Sequence, residues 1–227
     1  MNRVFVIAAH PDDEILGLGG TIRKHVNEGD VVDCLILGEG LTSRQNDRHA
    51  TDKKFINSLH EDAKRSGKII GFRQVFFGNL PDNRFDSMDL LDIVKIIEGY
   101  VNELKPNIIY THHKGDRNID HKITFEAVLT SCRPTGEYTV KEIYTFETPS
   151  STEWDFSYGS NSFNPNVFID IESSLESKLN AMACYTTELR EYPHPRSLES
   201  LQIIAARWGT VVGKKYVEAF QLIRKIQ

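Results

Sequence analysis

His10-Pro11-Asp12-Asp13-Glu14 sets an imidazole beside three carboxylates, directly after the apolar run Val4-Phe5-Val6-Ile7-Ala8-Ala9. Three adjacent carboxylates repel one another unless a cation sits among them. His10 and Asp13 are three residues apart, so a strand end running into a helix start lets them converge on one point. Asp12 is turned about 100° away around that helix and is free for a different task. One imidazole and one carboxylate are half of a zinc site, and a further ligand must come from elsewhere. A second polar cluster offers it: Tyr110-Thr111-His112-His113-Lys114-Gly115-Asp116-Arg117-Asn118-Ile119-Asp120-His121. The plainer reading of Asp12, Asp13 and Glu14 is helix capping, with Pro11 at the first helical position. It leaves His10 unexplained.

Both clusters follow apolar runs that read as buried strands, at 4–9 and 106–110. Further strands are expected at 31–37, 73–77, 143–146, 167–170 and 217–223, with helices at 15–27, 46–66, 90–104, 122–131, 173–188 and 198–208. The alternation predicts an α/β fold: a single, Rossmann-like, doubly wound, mainly parallel sheet with helices on both faces, one domain over 1–227. Ligands of such sheets bind outside the carboxyl ends of the strands, which is where both clusters fall. Gly17, Gly19 and Gly20 let the first helix approach the sheet. They are not the dinucleotide fingerprint, because Ile22 stands where its third glycine belongs. Asp82 and Asn83, after the third strand, either face the site or only shape a turn.

His10-Pro11-Asp12-Asp13-Glu14, paired with Asp116-Arg117-Asn118-Ile119-Asp120-His121, resembles the zinc-dependent N-deacetylases of the PIG-L/LmbE-like family, which includes N-acetylglucosaminyl-phosphatidylinositol deacetylase and the deacetylases of mycothiol and bacillithiol precursors. The resemblance covers most of the chain and loosens after about Phe146. It implies His10, Asp13 and His121 as metal ligands, a His₂Asp set with an open catalytic position, and Asp12 as the general base. Zinc is the expected ion, with another divalent ion such as Fe2+ as the alternative. Asp116 and Asp120 are expected to orient the ligand imidazoles. Many relatives have a histidine where Asn118 stands, and Asn118 can donate a hydrogen bond but supplies no proton. His112, His113, His194 or Asp12 itself would then supply the acid. Arg44, His113, Asn118, His194 and Arg196 are the expected substrate contacts, with plain surface or turn roles about equally favoured for Arg44, His194 and Arg196. Trp154 and Tyr158 would stack on a sugar face or simply pack.

At 227 residues and a net charge of −5, with no Lys/Arg-rich run, the chain carries no electrostatic footprint for nucleic acid. No apolar stretch approaches the roughly twenty residues of a membrane span, and the short N-terminal run does not read as a signal peptide. Cys34, Cys132 and Cys184 are far apart and read as free thiols. A cytoplasmic location is therefore expected. The leading function is removal of an N-acetyl group from an amino sugar or sugar conjugate by a metal-activated water. A metal-dependent phosphoesterase, with Arg44, Arg117 and Arg196 as clamps, and a non-catalytic sugar-binding protein of the same fold are the alternatives. The partner is a small-molecule N-acetyl amino sugar, and homo-oligomers are left open.

Overall fold

The computed structural model describes residues 1–44, 53–136, 138–156, 159 and 161–227, with Arg44 described by its backbone alone. Its strands are β1 (Arg3–Ala8), β2 (Val31–Gly38), β3 (Gln74–Leu80), β4 (Ile108–His112), β5 (Glu142–Phe146), β6 (Val167–Asp170) and β7 (Val217–Lys225). Its helices are α1 (Asp13–Asn27), α2 (Lys53–Ile70), α3 (Leu90–Leu104), α4 (Ile119–Ser131), α5 (Leu175–Met182) and α6 (Leu198–Val212). The sheet runs β3-β2-β1-β4-β5-β7-β6. Pairings from β3 to β5 are parallel, and β7 lies antiparallel between β5 and β6.

Alternation along β1 divides the core in two. Val4 and Val6 pack with Ile15, Leu18 and Ile22 of α1 on one face, while Phe5 and Ile7 pack with Ile93, Ile97 and Val128 of α3 and α4 on the other. Both faces are covered, as a parallel sheet requires. The chain winds from β1 outward to β3, then crosses to β4 on the other side of β1. The crevice at this reversal is where open α/β sheets bind ligands, and both polar clusters open onto it.

The fold class is the one expected from the apolar runs. Several boundaries differ. The helix expected over 173–188 ends at Met182, because the chain then turns and sends Tyr185 into the core. The helix expected over 46–66 is seen as Lys53–Ile70, and residues 45–52 lie outside the described residues. α4 begins at Ile119, capped by the Asn118 side chain, which accepts the Asp120 N–H at 2.8 Å. Pro11 is not the first helical residue. It sits in the turn before α1, whose cap position is Asp12.

α1 approaches the sheet closely and is bent. A Cβ on Gly17 would lie 2.3 Å from the Phe146 ring, and one on Gly20 would lie 2.8 Å from Ile171. At Leu18 the backbone leaves the helical region (φ −149°, ψ 21°), which strands backbone groups on both sides of the bend. A buried ion pair takes them up. The Glu218 carboxylate of β7 accepts the N–H groups of Gly20 at 3.0 Å and Thr21 at 2.7 Å. Lys178 of α5 donates to Leu16 C=O at 2.9 Å and stands 2.6 Å from Glu218. Glu218 thus acts as an N-cap supplied from another strand. Glu218→Ala leaves a buried ammonium and two buried N–H groups without this acceptor. It is expected to lower the unfolding free energy by about 3–5 kcal/mol, measured by urea denaturation, and a loss below about 1 kcal/mol would contradict this account.

Candidate metal centre

The turn between β1 and α1 delivers the first motif. β4 and the cap of α4 deliver the second. His10 Nδ1 lies 3.2 Å from His121 Nε2 and 3.4 Å from Asp13 Oδ2, and His121 Nε2 lies 3.2 Å from the same oxygen. Two ligands about 2.0–2.1 Å from a tetrahedral zinc stand about 3.3 Å apart, so the donor set and its spacing fit that ion. Two imidazoles and one carboxylate also suit Fe(II).

Each imidazole is held from behind. Asp116 Oδ1 stands 3.1 Å from His121 Nδ1, and Asp120 Oδ2 stands 3.0 Å from His10 Nε2. Asp116 is itself fixed by the hydroxyls of Ser151 and Thr152 and by the Asn118 N–H. Burial opposes a charge on either imidazole, but the carboxylates prevail. Asp120 and Asp13 raise the His10 pKa well above its usual value, and Asp13 with Asp116 raises that of His121 to about 9. In return, burial of Asp13 is outweighed by His121, His112 and His10, which hold its carboxyl well below the usual range. The site is thus an electrostatic trap for positive charge.

A second group, His10, Asp82 and Asp120, also has metal-compatible distances. Its oxygens are already in use. Asp82 accepts the Ser43 N–H at 3.0 Å and the Asn83 amide at 3.0 Å, and Asp120 accepts the N–H groups of Asn83 and Phe85 at 2.6 and 3.0 Å. Both carboxylates stand at the outer nitrogen of His10, Asp82 at 3.3 Å and Asp120 at 3.0 Å.

Asp12 stands beside the first group without joining it. Its backbone is left-handed at φ 105°, a conformation that costs an aspartate about 1–3 kcal/mol and marks functional turns. Arg196 Nη1 stands 3.3 Å from Asp12 Oδ2 and 2.8 Å from Glu188 Oε2, while its Nε donates to Ser150 Oγ at 2.7 Å. Burial raises the Asp12 pKa well above the carboxylate range despite the opposing pull of Arg196. These groups line a cavity of about 190 Å³. Of the six non-glycine residues with positive φ among the described residues, four line it: Asp12, Leu41, Asn83 and Ser150. Backbone strain is concentrated at the site.

The other expected residues divide. Asn118 and Arg196 line the cavity. Arg44 ends the short turn Thr42–Arg44 that follows β2, and its side chain lies outside the described residues. His113 is buried away from the cavity, with Nε2 2.7 Å from Asn161 O. His194 does not line the cavity either; its Nδ1 accepts the Arg196 N–H at 3.1 Å and so shapes the loop that carries Arg196. His112 is fully buried, its Nε2 accepting the Ala9 N–H at 2.8 Å and its Nδ1 3.1 Å from Thr148 Oγ1. Burial and the neighbouring His121 lower its pKa to about 3. None of these three histidines reaches the cavity to supply an acid. Trp154 is exposed and does not line the cavity, its ring making a T-shaped contact with that of His194, and Tyr158 lies outside the described residues. Glu14 does bond the helix start, accepting the Asp12 N–H at 3.1 Å, and it is also a buried carboxyl whose pKa burial raises to about 7, against the opposing hydrogen bond from Tyr185. Asp82, Ser43, Ser150, Ser151 and Glu188 also line the cavity. Only Asp82 carried a prior signal, its place after a parallel strand.

Residues 5–132 match the family model described as PIG-L: GlcNAc-PI de-N-acetylase. The chain belongs to this family. Among curated relatives, an uncharacterized deacetylase of Escherichia coli K12, YaiS, is 28% identical over 174 residues, covering 74% of this chain and 82% of that protein. Diacetylchitobiose deacetylase of Thermococcus kodakarensis is 27% identical over 229 residues, covering 98% and 84%. The structure of 4-carboxy-2-hydroxymuconate hydratase from Pseudomonas putida KT2440 superposes with a TM-score of 0.76 at 20% identity, covering 100% and 98%. The PIG-L fold therefore carries more than one chemistry, and the reaction must be argued from the site.

If Asp120 orients His10, Asp120→Asn weakens divalent-ion affinity about 10–100-fold in this PIG-L member. Competition against a chromogenic chelator measures it, and unchanged affinity in a folded variant excludes the orienting role.

Proposed function

We propose that this PIG-L family member hydrolyses the N-acetyl group of an N-acetylated amino sugar or sugar conjugate, with His10, Asp13 and His121 holding a divalent ion, zinc foremost, and Asp12 as the base. The observation that carries this reading is the geometry of Asp12: a strained, buried carboxylate beside the three ligands, directed into the cavity and gripped by Arg196. The deacetylase names of the relatives support the same reaction.

A divalent ion in this set supplies an acidified water and a Lewis acid for the acyl oxygen. Asp12 accepts the proton that water loses as it attacks the amide carbon. The C–N bond then breaks, acetate leaves, and the same carboxyl returns the proton to the departing amine, so water plus amide gives acetate plus ammonium. Asp12 carries both transfers because His112, His113 and His194 do not line the cavity and Asn118 has no proton to give. Arg196, bonded to Asp12 and Glu188, keeps the base in place. Asn118, its Nδ2 2.9 Å from Asn83 Oδ1, also lines the cavity.

The phosphoesterase alternative loses support from the same contacts, since Arg196 is held by two carboxylates and Arg117 is exposed and does not line the cavity. A hydratase reaction, on likeness of fold and of sequence to hydratases, and non-catalytic sugar binding are the remaining competitors.

Acetate release from N-acetylglucosamine and N,N'-diacetylchitobiose tests the reading. Asp12→Asn is expected to keep the ion by elemental analysis and to lose about 10²–10⁴-fold in turnover; full activity in that variant removes Asp12 as the base. His121→Ala is expected to lose the ion, and full metal stoichiometry would reject His121 as a ligand.

A further inference from the structure

We propose that Glu14 and Tyr185 are positioning residues that set the backbone of the Asp12 base, so that the turn following α5 determines how the base is presented. The proposal rests on Asp12 being the base and goes beyond it by naming what holds its main chain.

Asp12 occupies a left-handed conformation that an aspartate adopts only when its surroundings impose it. Its N–H donates to Glu14 Oε2 at 3.1 Å. The other oxygen, Oε1, accepts the Tyr185 hydroxyl from 171 residues away. Glu14 is 1% exposed and Tyr185 is wholly buried, so this is no solvated helix-start carboxylate. Neither residue lines the cavity, so neither touches a substrate there. What Glu14 can do for the reaction is done through Asp12.

The same segment holds the side chain as well. The N–H groups of Glu188 and Leu189 both donate to Tyr185 C=O, and Glu188 bonds Arg196, which faces Asp12. Residues 185–196 therefore grip the base twice, through Glu14 at its main chain and through Arg196 at its carboxylate. All of this segment lies beyond residues 5–132, the stretch that matches the family model.

Glu14→Ala removes the acceptor for the Asp12 N–H. The folded, zinc-loaded variant is expected to lose about 10–100-fold in kcat, the scale of a misplacement near 1 Å, with KM and zinc content little changed. Tyr185→Phe should shift kcat in the same direction by less. Glu14→Gln should recover most of the rate, because its amide oxygen accepts the Asp12 N–H while its NH₂ donates to the Tyr185 oxygen. A packing role alone would lower the melting temperature and leave kcat per folded molecule intact. Wild-type kcat in Glu14→Ala, or Glu14→Gln as slow as Glu14→Ala, overturns the proposal; should Glu14→Ala not fold, Tyr185→Phe with undiminished kcat does so. A crystal structure of Glu14→Gln or Tyr185→Phe gives a reading independent of any substrate. Asp12 should keep positive φ in Glu14→Gln and depart from the wild-type φ in Tyr185→Phe, and an unmoved Asp12 in Tyr185→Phe counts against the clamp even if no N-acetyl sugar is turned over. Failure of the function reading looks different: wild-type protein releases no acetate, or Asp12→Asn remains active.

Discussion

One carboxylate oxygen, Asp13 Oδ2, stands between two imidazoles that are 111 residues apart in the chain. These groups meet within 3.4 Å, and the rest of the molecule is arranged to hold them there. β1 and β4 are adjacent in the sheet, with Val6 opposite Tyr110, so their carboxyl ends open onto the same crevice. Behind the imidazoles stand Asp116 and Asp120, and each in turn accepts hydrogen bonds from hydroxyl or backbone N–H donors. Preorganisation of this kind is what a catalytic metal site requires, since ligands that must rearrange lose affinity and rate.

The arrangement also divides labour between two carboxylates next to each other in sequence. Asp13 is neutralised by imidazoles and held ionised. Asp12 is turned by a left-handed backbone towards the cavity and faces Arg196. Neighbouring acids in different surroundings are a recurring way to separate ligand from base. On the proposed reading, that separation comes here from a single backbone rotation rather than from distance along the chain.

Much of this was legible in the sequence, for identifiable reasons. Apolar runs flanked by turn residues mark β1, β2 and β4, because strands covered on both faces have no polar side to show. His10 stood out because capping does not account for it, and Asp12, Asp13 and His121 because the two paired motifs resemble those of the PIG-L/LmbE-like deacetylases. The left-handed state of Asp12 was not legible, since a helix-start reading puts Pro11 and Asp12 inside the helix and tertiary contacts decide otherwise. Ser150 lies in a segment without periodicity, Tyr185 and Glu188 fall at the end of the helix expected over 173–188, and the roles of all three exist only through partners far away in sequence. His113 and His194 attracted attention as histidines near the motifs, yet one is spent on Asn161 and the other on its own loop. The short α5 has the same origin: the turn after Met182 is what lets Tyr185 reach Glu14.

The bend in α1 carries an implication for the order in which the protein is made. The backbone N–H groups freed at that bend are taken up by Glu218, 198 residues downstream of Gly20, on the strand that also joins β6 to the sheet. A ribosome translating this chain releases every side chain of the candidate metal centre long before it releases the carboxylate that seats the helix behind them. Completion of the centre is thus tied to completion of the polypeptide, and a nascent chain stalled before β7 bears the motifs without the seated helix that presents them.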